Sequence, residues 1–126
     1  ILYRLVGSEM CIRDRDGYDE VSLTSETKVS TNNKDFIFKP ADLGLNKISQ
    51  QSIFGGNSIK EAAKIFVDIL NLRGTKEQVN VVLANSALAI STYKGININD
   101  AYEIAKKSLK DKDALQALSK LIELSR

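Results

Sequence analysis

Histidine and tryptophan are absent from this chain, and cysteine, methionine and proline occur once each. Without an imidazole, Ser-His and Cys-His nucleophilic catalysis and histidine-ligated zinc are excluded, so any chemistry must rest on carboxylates, hydroxyls, amides or lysines. A lone cysteine, Cys11, cannot close an internal disulfide, which fits a reducing, cytoplasmic setting. Long apolar runs are missing too. The longest lies within Val81 to Ile90 and is broken by Asn85 and Ser86, whereas a bilayer span needs roughly 20 residues, so no membrane partner is expected. Nor does one sign of charge dominate. Eighteen Lys and Arg against sixteen Asp and Glu leave a net charge of +2 with no basic stripe, too little for dense phosphate neutralisation, and nucleic acid is not expected as a partner. What remains is ordinary globular material, 43% apolar and 27% charged over 126 residues, enough for one domain.

Residues 1–15, ILYRLVGSEMCIRDR, match nothing downstream in period or composition. Arg4, Ser8 and Glu9 interrupt the apolar character that a signal peptide would need. Leu5 to Arg15 resembles the in-frame translation of a transposase-type sequencing-library adapter over its whole length. Residues 1–15 are therefore expected to be adapter-derived and disordered, and residues 16–126 to be a nearly neutral piece of a larger domain.

Within that piece, Val21, Leu23, Thr27, Val29 and Thr31 alternate loosely as a strand does, Asn32-Asn33 signals a turn, and Phe36-Ile37-Phe38 supplies a second strand. Pro40 ends this hairpin, and Pro40 to Leu45 reads as a turn or a single helical turn. Asn46 to Asn57 is linker-like, with a bend at Gly55-Gly56. Four helices follow. Ser58 with Glu61 and Thr75 with Gln78 have capping-box spacing; Asn97 or Asn99 starts the third helix and Asp111 or Asp113 the fourth. Ile59, Ala62, Ala63, Phe66, Ile69 and Leu70 form an apolar face on the first helix, which Arg73-Gly74 should close with a left-handed cap. The second helix is apolar most of the way round, as a central, buried helix is. Leu115, Leu118, Leu121 and Ile122 should face inward on the fourth.

The densest acidic cluster is Asp16-Gly17-Tyr18-Asp19-Glu20, where a loop enters the first strand. Adjacent Asp19 and Glu20 can hold a hard cation through oxygen, since Mg²⁺ commonly takes one or two protein carboxylates plus phosphates and waters. The same run also reads as a solvated turn, and spacing alone does not choose. Gly55-Gly56-Asn57-Ser58 before a helix reads as turn plus cap, because the fuller phosphate-loop spacing with lysine is absent. Asn85 and Ser86 could reach a ligand, although a buried Asn bonding a neighbouring loop is the plainer account. Lys106, Lys107, Lys110 and Lys112 read as solvated cations near a helix end.

Asp16-Gly-Tyr-Asp-Glu-Val-Ser-Leu-Thr-Ser-Glu-Thr-Lys-Val29 resembles the D-G-x-D-E-[IV]-S-x-T-x-x-T-x-V segment of the anthranilate phosphoribosyltransferase family. The likeness continues in Pro40 to Leu45, in Gly55-Gly56-Asn57 followed by Glu61-Ala62-Ala63, and in Asn80 to Ala89, spanning nearly all of residues 16–126. Ser25 departs from it, the family often having glycine there. The resemblance implies an α/β fold, namely the C-terminal part of a phosphoribosyltransferase/nucleoside phosphorylase-type α/β domain, present here as a β-hairpin followed by four helices. It implies transfer of phosphoribose from phosphoribosyl pyrophosphate (PRPP) to anthranilate in tryptophan biosynthesis, with Mg²⁺, by a cytoplasmic homodimer. Residue for residue it implies that Asp19 and Glu20 hold the metal on the pyrophosphate. The family's Gly-Thr-Gly-Gly-Asp loop and its anthranilate-binding arginine have no counterpart here, so the 126-residue chain is expected to be inactive alone and poorly stable. A pyrimidine nucleoside phosphorylase shares the fold but not the Asp-Glu pair, and a small helical interaction module is the alternative of a different class.

Overall fold

The structure is a computed structural model that describes residues 10–125. Three strands, β1 (Met10–Asp14), β2 (Thr27–Thr31) and β3 (Asp35–Phe38), form an antiparallel sheet in the order β1-β2-β3. Helices α1 (Ile59–Leu70), α2 (Lys76–Lys94), α3 (Ile98–Lys110) and α4 (Asp113–Leu124) follow, after 3-10 turns at Pro40–Leu43 and Gln50–Ile53. The expected hairpin and four helices are thus present.

The expectation of disorder does not hold for Met10–Asp14. This segment pairs along all of β2, with Ile12 opposite Val29, and Ile12 packs against the core. A backbone ladder needs only an extended chain of the right length, and a third strand gives the hairpin support it would otherwise lack. Residues 1–9 lie outside the described residues.

The first strand of the expected hairpin, β2, starts at Thr27 and not directly after Glu20. Val21 to Ser25 form an irregular segment, yet all five residues are buried. Val21 and Leu23 join Val29, Phe38, Leu43, Ala84 and Leu88 in one core between the sheet and α2. A second core, Leu70, Leu83, Ala105 and Leu109, fills the space between α2 and α3 and reaches α4 through Leu115 and Leu118. α2 is therefore central, as its apolar circumference predicts: Ala84 and Leu88 face the sheet, while Leu83 faces α3.

Capping chemistry places three of the helix starts. Thr75 and Gln78 close a full capping box at α2. Ser58 accepts from the Glu61 amide, and the Glu61 carboxylate reaches back one residue further than expected, to the Asn57 amide at 2.7 Å. Asn97 caps α3. Neither Asp111 nor Asp113 caps α4. The helices meet at Asp111-Lys112, and Lys112 takes the cap position with φ 63°, leaving Asp113 in the first turn, where its charge suits the helix dipole.

The end of α1 is also built differently. Leu72, at φ 62°, is the left-handed residue. Gly74 serves close approach instead, since a Cβ there would stand 2.7 Å from Ile69 Cγ1. Of the apolar face on α1 only Ile69 and Leu70 are buried, with Ile59 91% and Phe66 54% exposed. Leu121 and Ile122 on α4 are exposed as well. Spacing makes a helix amphipathic, but it does not supply a covering element.

Candidate metal-holding loop

The acidic cluster lies in the connection from β1 to β2, residues 15–26. Asp16, Asp19 and Glu20 are exposed and Tyr18 is half-buried. Immediately after Glu20 the chain dives into the core, and a chain of polar contacts fixes how it does so.

Val21 is anchored from α2. Asn85 Oδ1 accepts from the Val21 amide at 2.9 Å, and Asn85 Nδ2 donates to the Val21 carbonyl at 2.7 Å. The same Nδ2 also donates to the Val81 carbonyl at 2.9 Å, which holds the carboxamide on its own helix. One side chain thus pairs both backbone groups of a residue 64 positions away, as a neighbouring strand would. This is the plainer of the two expectations for Asn85. It also explains how an irregular segment can be buried at all, since unpaired backbone groups there would cost about 1–3 kcal/mol each.

Further along, Leu23 is fully buried at φ 63°, a conformation that costs an L-residue roughly 1–2 kcal/mol. Its carbonyl accepts from the Ile48 amide at 3.1 Å. Thr24 Oγ1 donates to Asp16 Oδ2 at 2.5 Å and lies 2.7 Å from Ser22 Oγ, which in turn accepts from the Thr24 amide at 3.1 Å. The loop is closed on itself from Asp16 to Thr24. At its far end Glu26 meets Arg15 and Lys39, each at 3.5 Å.

Asp19 and Glu20 are therefore exposed carboxylates on a backbone fixed from both sides. Their donor set is two hard oxygens, and among the described residues no group of three His, Cys, Asp or Glu side chains converges to form a complete metal cage. Two adjacent exposed carboxylates match the way Mg²⁺ is usually bound, through one or two protein carboxylates together with phosphates and waters.

Other candidates resolve as structure. Gly56, at φ 88°, makes the bend before α1, and the Glu61 carboxylate already occupies the helix N-terminus. Lys106 pairs with Glu103 and Lys107 with Asp111 on the exposed side of α3. A cavity of about 550 Å³ opens between the hairpin tip and the end of α2, lined by Asn33, Phe36, Phe38, Leu88, Ser91 and Asn97 among others. It does not include Asp19 or Glu20. Sequence reasoning missed the Asp16–Thr24 bond and the burial of Ser22 and Thr24. The signal was present in the Ser-x-Thr spacing, which strand alternation had absorbed.

The family described as "Glycosyl transferase family, a/b domain" matches residues 2–115. The anthranilate phosphoribosyltransferase of Flavobacterium psychrophilum is 47% identical over 110 residues, covering 87% of this chain and 33% of that protein. That of Phocaeicola vulgatus is 41% identical over 115 residues, covering 90% and 35%. The chain spans about a third of the length of these relatives. Among solved structures, anthranilate phosphoribosyltransferase from Saccharomyces cerevisiae in complex with PRPP and Mg superposes with a TM-score of 0.81 at 21% identity, covering 92% of this chain and 33% of that one. The Thermus thermophilus enzyme gives 0.78 at 16% identity, covering 90% and 34%, so both share the fold. With the family matched across most of its length, and the fold shared with solved structures, this chain belongs to the glycosyl transferase family, a/b domain.

Proposed function

We propose that residues 16–126 are the part of an anthranilate phosphoribosyltransferase that carries its metal-holding carboxylates. The observation that carries this reading is the Asp19–Glu20 pair, exposed on a loop whose backbone α2 fixes, in a chain 47% identical to such an enzyme. In the intact enzyme Asp19 and Glu20 would hold Mg²⁺ against the pyrophosphate of PRPP. When bound, the ion neutralises charge that grows on the departing pyrophosphate as the ribose carbon gains oxocarbenium character.

This chain's own part is positional. The clamp on Val21 and the Asp16–Thr24 bond hold the carboxylate-bearing backbone in place before substrate arrives, so little reorganisation is required at the moment of reaction. No histidine is called for, which agrees with a sequence that has none. Transfer to the anthranilate amine would use groups from the remaining two thirds of the relatives' length. We read the intact enzyme as a cytoplasmic homodimer working in tryptophan biosynthesis, a reading that the likeness to such enzymes supports.

The test is a chimera in which residues 16–126 replace the matching third of the Flavobacterium psychrophilum enzyme. With PRPP and Mg²⁺ it should consume anthranilate, read as loss of anthranilate fluorescence, while the 126-residue chain alone should consume none. A chimera that folds but leaves anthranilate untouched overturns the proposal.

A further inference from the structure

Nothing in the chemistry of two exposed carboxylates fixes where they sit. They follow one another in an irregular loop, and β1 and β2 end several residues away on either side. The residue directly after them, Val21, is where the loop's position is set. Its side chain is buried in the core that includes Ala84 and Leu88 of α2, and both of its backbone polar groups are taken by Asn85 between them. Asn85 is itself held to α2 through the Val81 carbonyl.

From this geometry we infer that Asn85 is a positioning residue for the Asp19–Glu20 pair, transmitting the placement of the central helix to the metal-holding loop through a two-point amide clamp on Val21. The inference rests on the metal reading of that pair. Its chemistry is specific to a carboxamide. Aspartate can still accept from the Val21 amide but cannot donate to the Val21 carbonyl, and alanine can do neither. Partners that orient metal ligands from behind typically change metal affinity by about 10–100-fold when removed.

The test uses the chimera carrying residues 16–126 (wild type below), with PRPP present and Mn²⁺ as the probe, read by paramagnetic broadening of amide NMR signals and by amide hydrogen exchange. Wild type should show broadening centred on Asp19 and Glu20, abolished in Asp19→Asn/Glu20→Gln. Asn85→Ala and Asn85→Asp should weaken Mn²⁺ binding about 10–100-fold and speed exchange of the Val21 amide, with Asn85→Asp retaining more of its protection. Leu83→Ala, which opens the other core on the same helix, controls for mere destabilisation and should leave the Mn²⁺ affinity near wild type. If wild type shows no broadening at Asp19 and Glu20, the metal reading falls and this inference with it. If wild type binds but Asn85→Ala binds equally well, or Leu83→Ala weakens binding as much, the inference alone is overturned.

Discussion

Two phenylalanines in one chain make a matched test of where its stability resides. Phe38 ends β3 and is 1% exposed, the bulkiest fully buried side chain among the described residues, whereas Phe66 on α1 is 54% exposed. Truncating a fully buried phenylalanine costs about 3–5 kcal/mol, because the lost transfer energy adds to that of the cavity left behind. Full burial of such a side chain is worth about 1.5–3 kcal/mol, so the fraction that Phe66 buries is worth about 1 kcal/mol. Alanine's better helix propensity returns about 0.5 kcal/mol, which leaves a net cost of about 0.5 kcal/mol for Phe66→Ala. Total stabilities run to only about 5–15 kcal/mol for ordinary domains. Phe38→Ala should therefore lose much of the dispersion of the amide NMR spectrum and unfold at far lower urea by far-UV circular dichroism, while Phe66→Ala should track wild type closely. Equal shifts for the two variants, or a larger one for Phe66→Ala, would refute the placement of the core between the sheet and α2.

Thr75→Ala removes one half of the capping box at α2 and should destabilise the chain by about 0.5–2 kcal/mol, measured as a lower urea midpoint, with Thr75→Ser close to wild type. Asp68 accepts from Lys64 and Arg73, and these hydrogen bonds hold its carboxyl below the usual 3.8. Because the folded value is the lower one, its contribution to the end of α1 is present above the ordinary carboxylate range and is lost as pH falls through the folded value. An NMR titration of Asp68 should show that depressed midpoint, and Asp68→Asn should remove the pH dependence it causes.

Local chemistry was the readable part of this fold. Helix starts at Ser58, Thr75 and Asn97 follow from side chains bonding amides three residues on, a contact that spacing alone encodes. The hairpin and the bend at Gly55-Gly56 are of the same kind. Burial of Val21 to Ser25 was not legible as a loop, because the groups that satisfy its backbone come from Asn85 and Ile48, far off in sequence, and its alternation imitates a strand. Likewise the start of α4 was misplaced, because a left-handed backbone at Lys112 turns the chain from α3 into α4 without any side-chain cap, so no capping residue marks it. The apolar face of α1 was read correctly as a face, but whether it is covered depends on what packs there. For the candidate site, Asp19 and Glu20 came from a family resemblance and not from spacing, which is equally compatible with a solvated turn; the structure adds the clamp that fixes the loop beside them.

The most direct measurement of the central claim is the Mg²⁺ dependence of anthranilate consumption by the chimera with and without Asp19→Asn/Glu20→Gln. The double variant should lose about 10²–10³ in turnover, as for removal of a preorganised electrostatic group, and should require more Mg²⁺. A double variant that turns over at the unmodified rate with an unchanged Mg²⁺ dependence would contradict that claim.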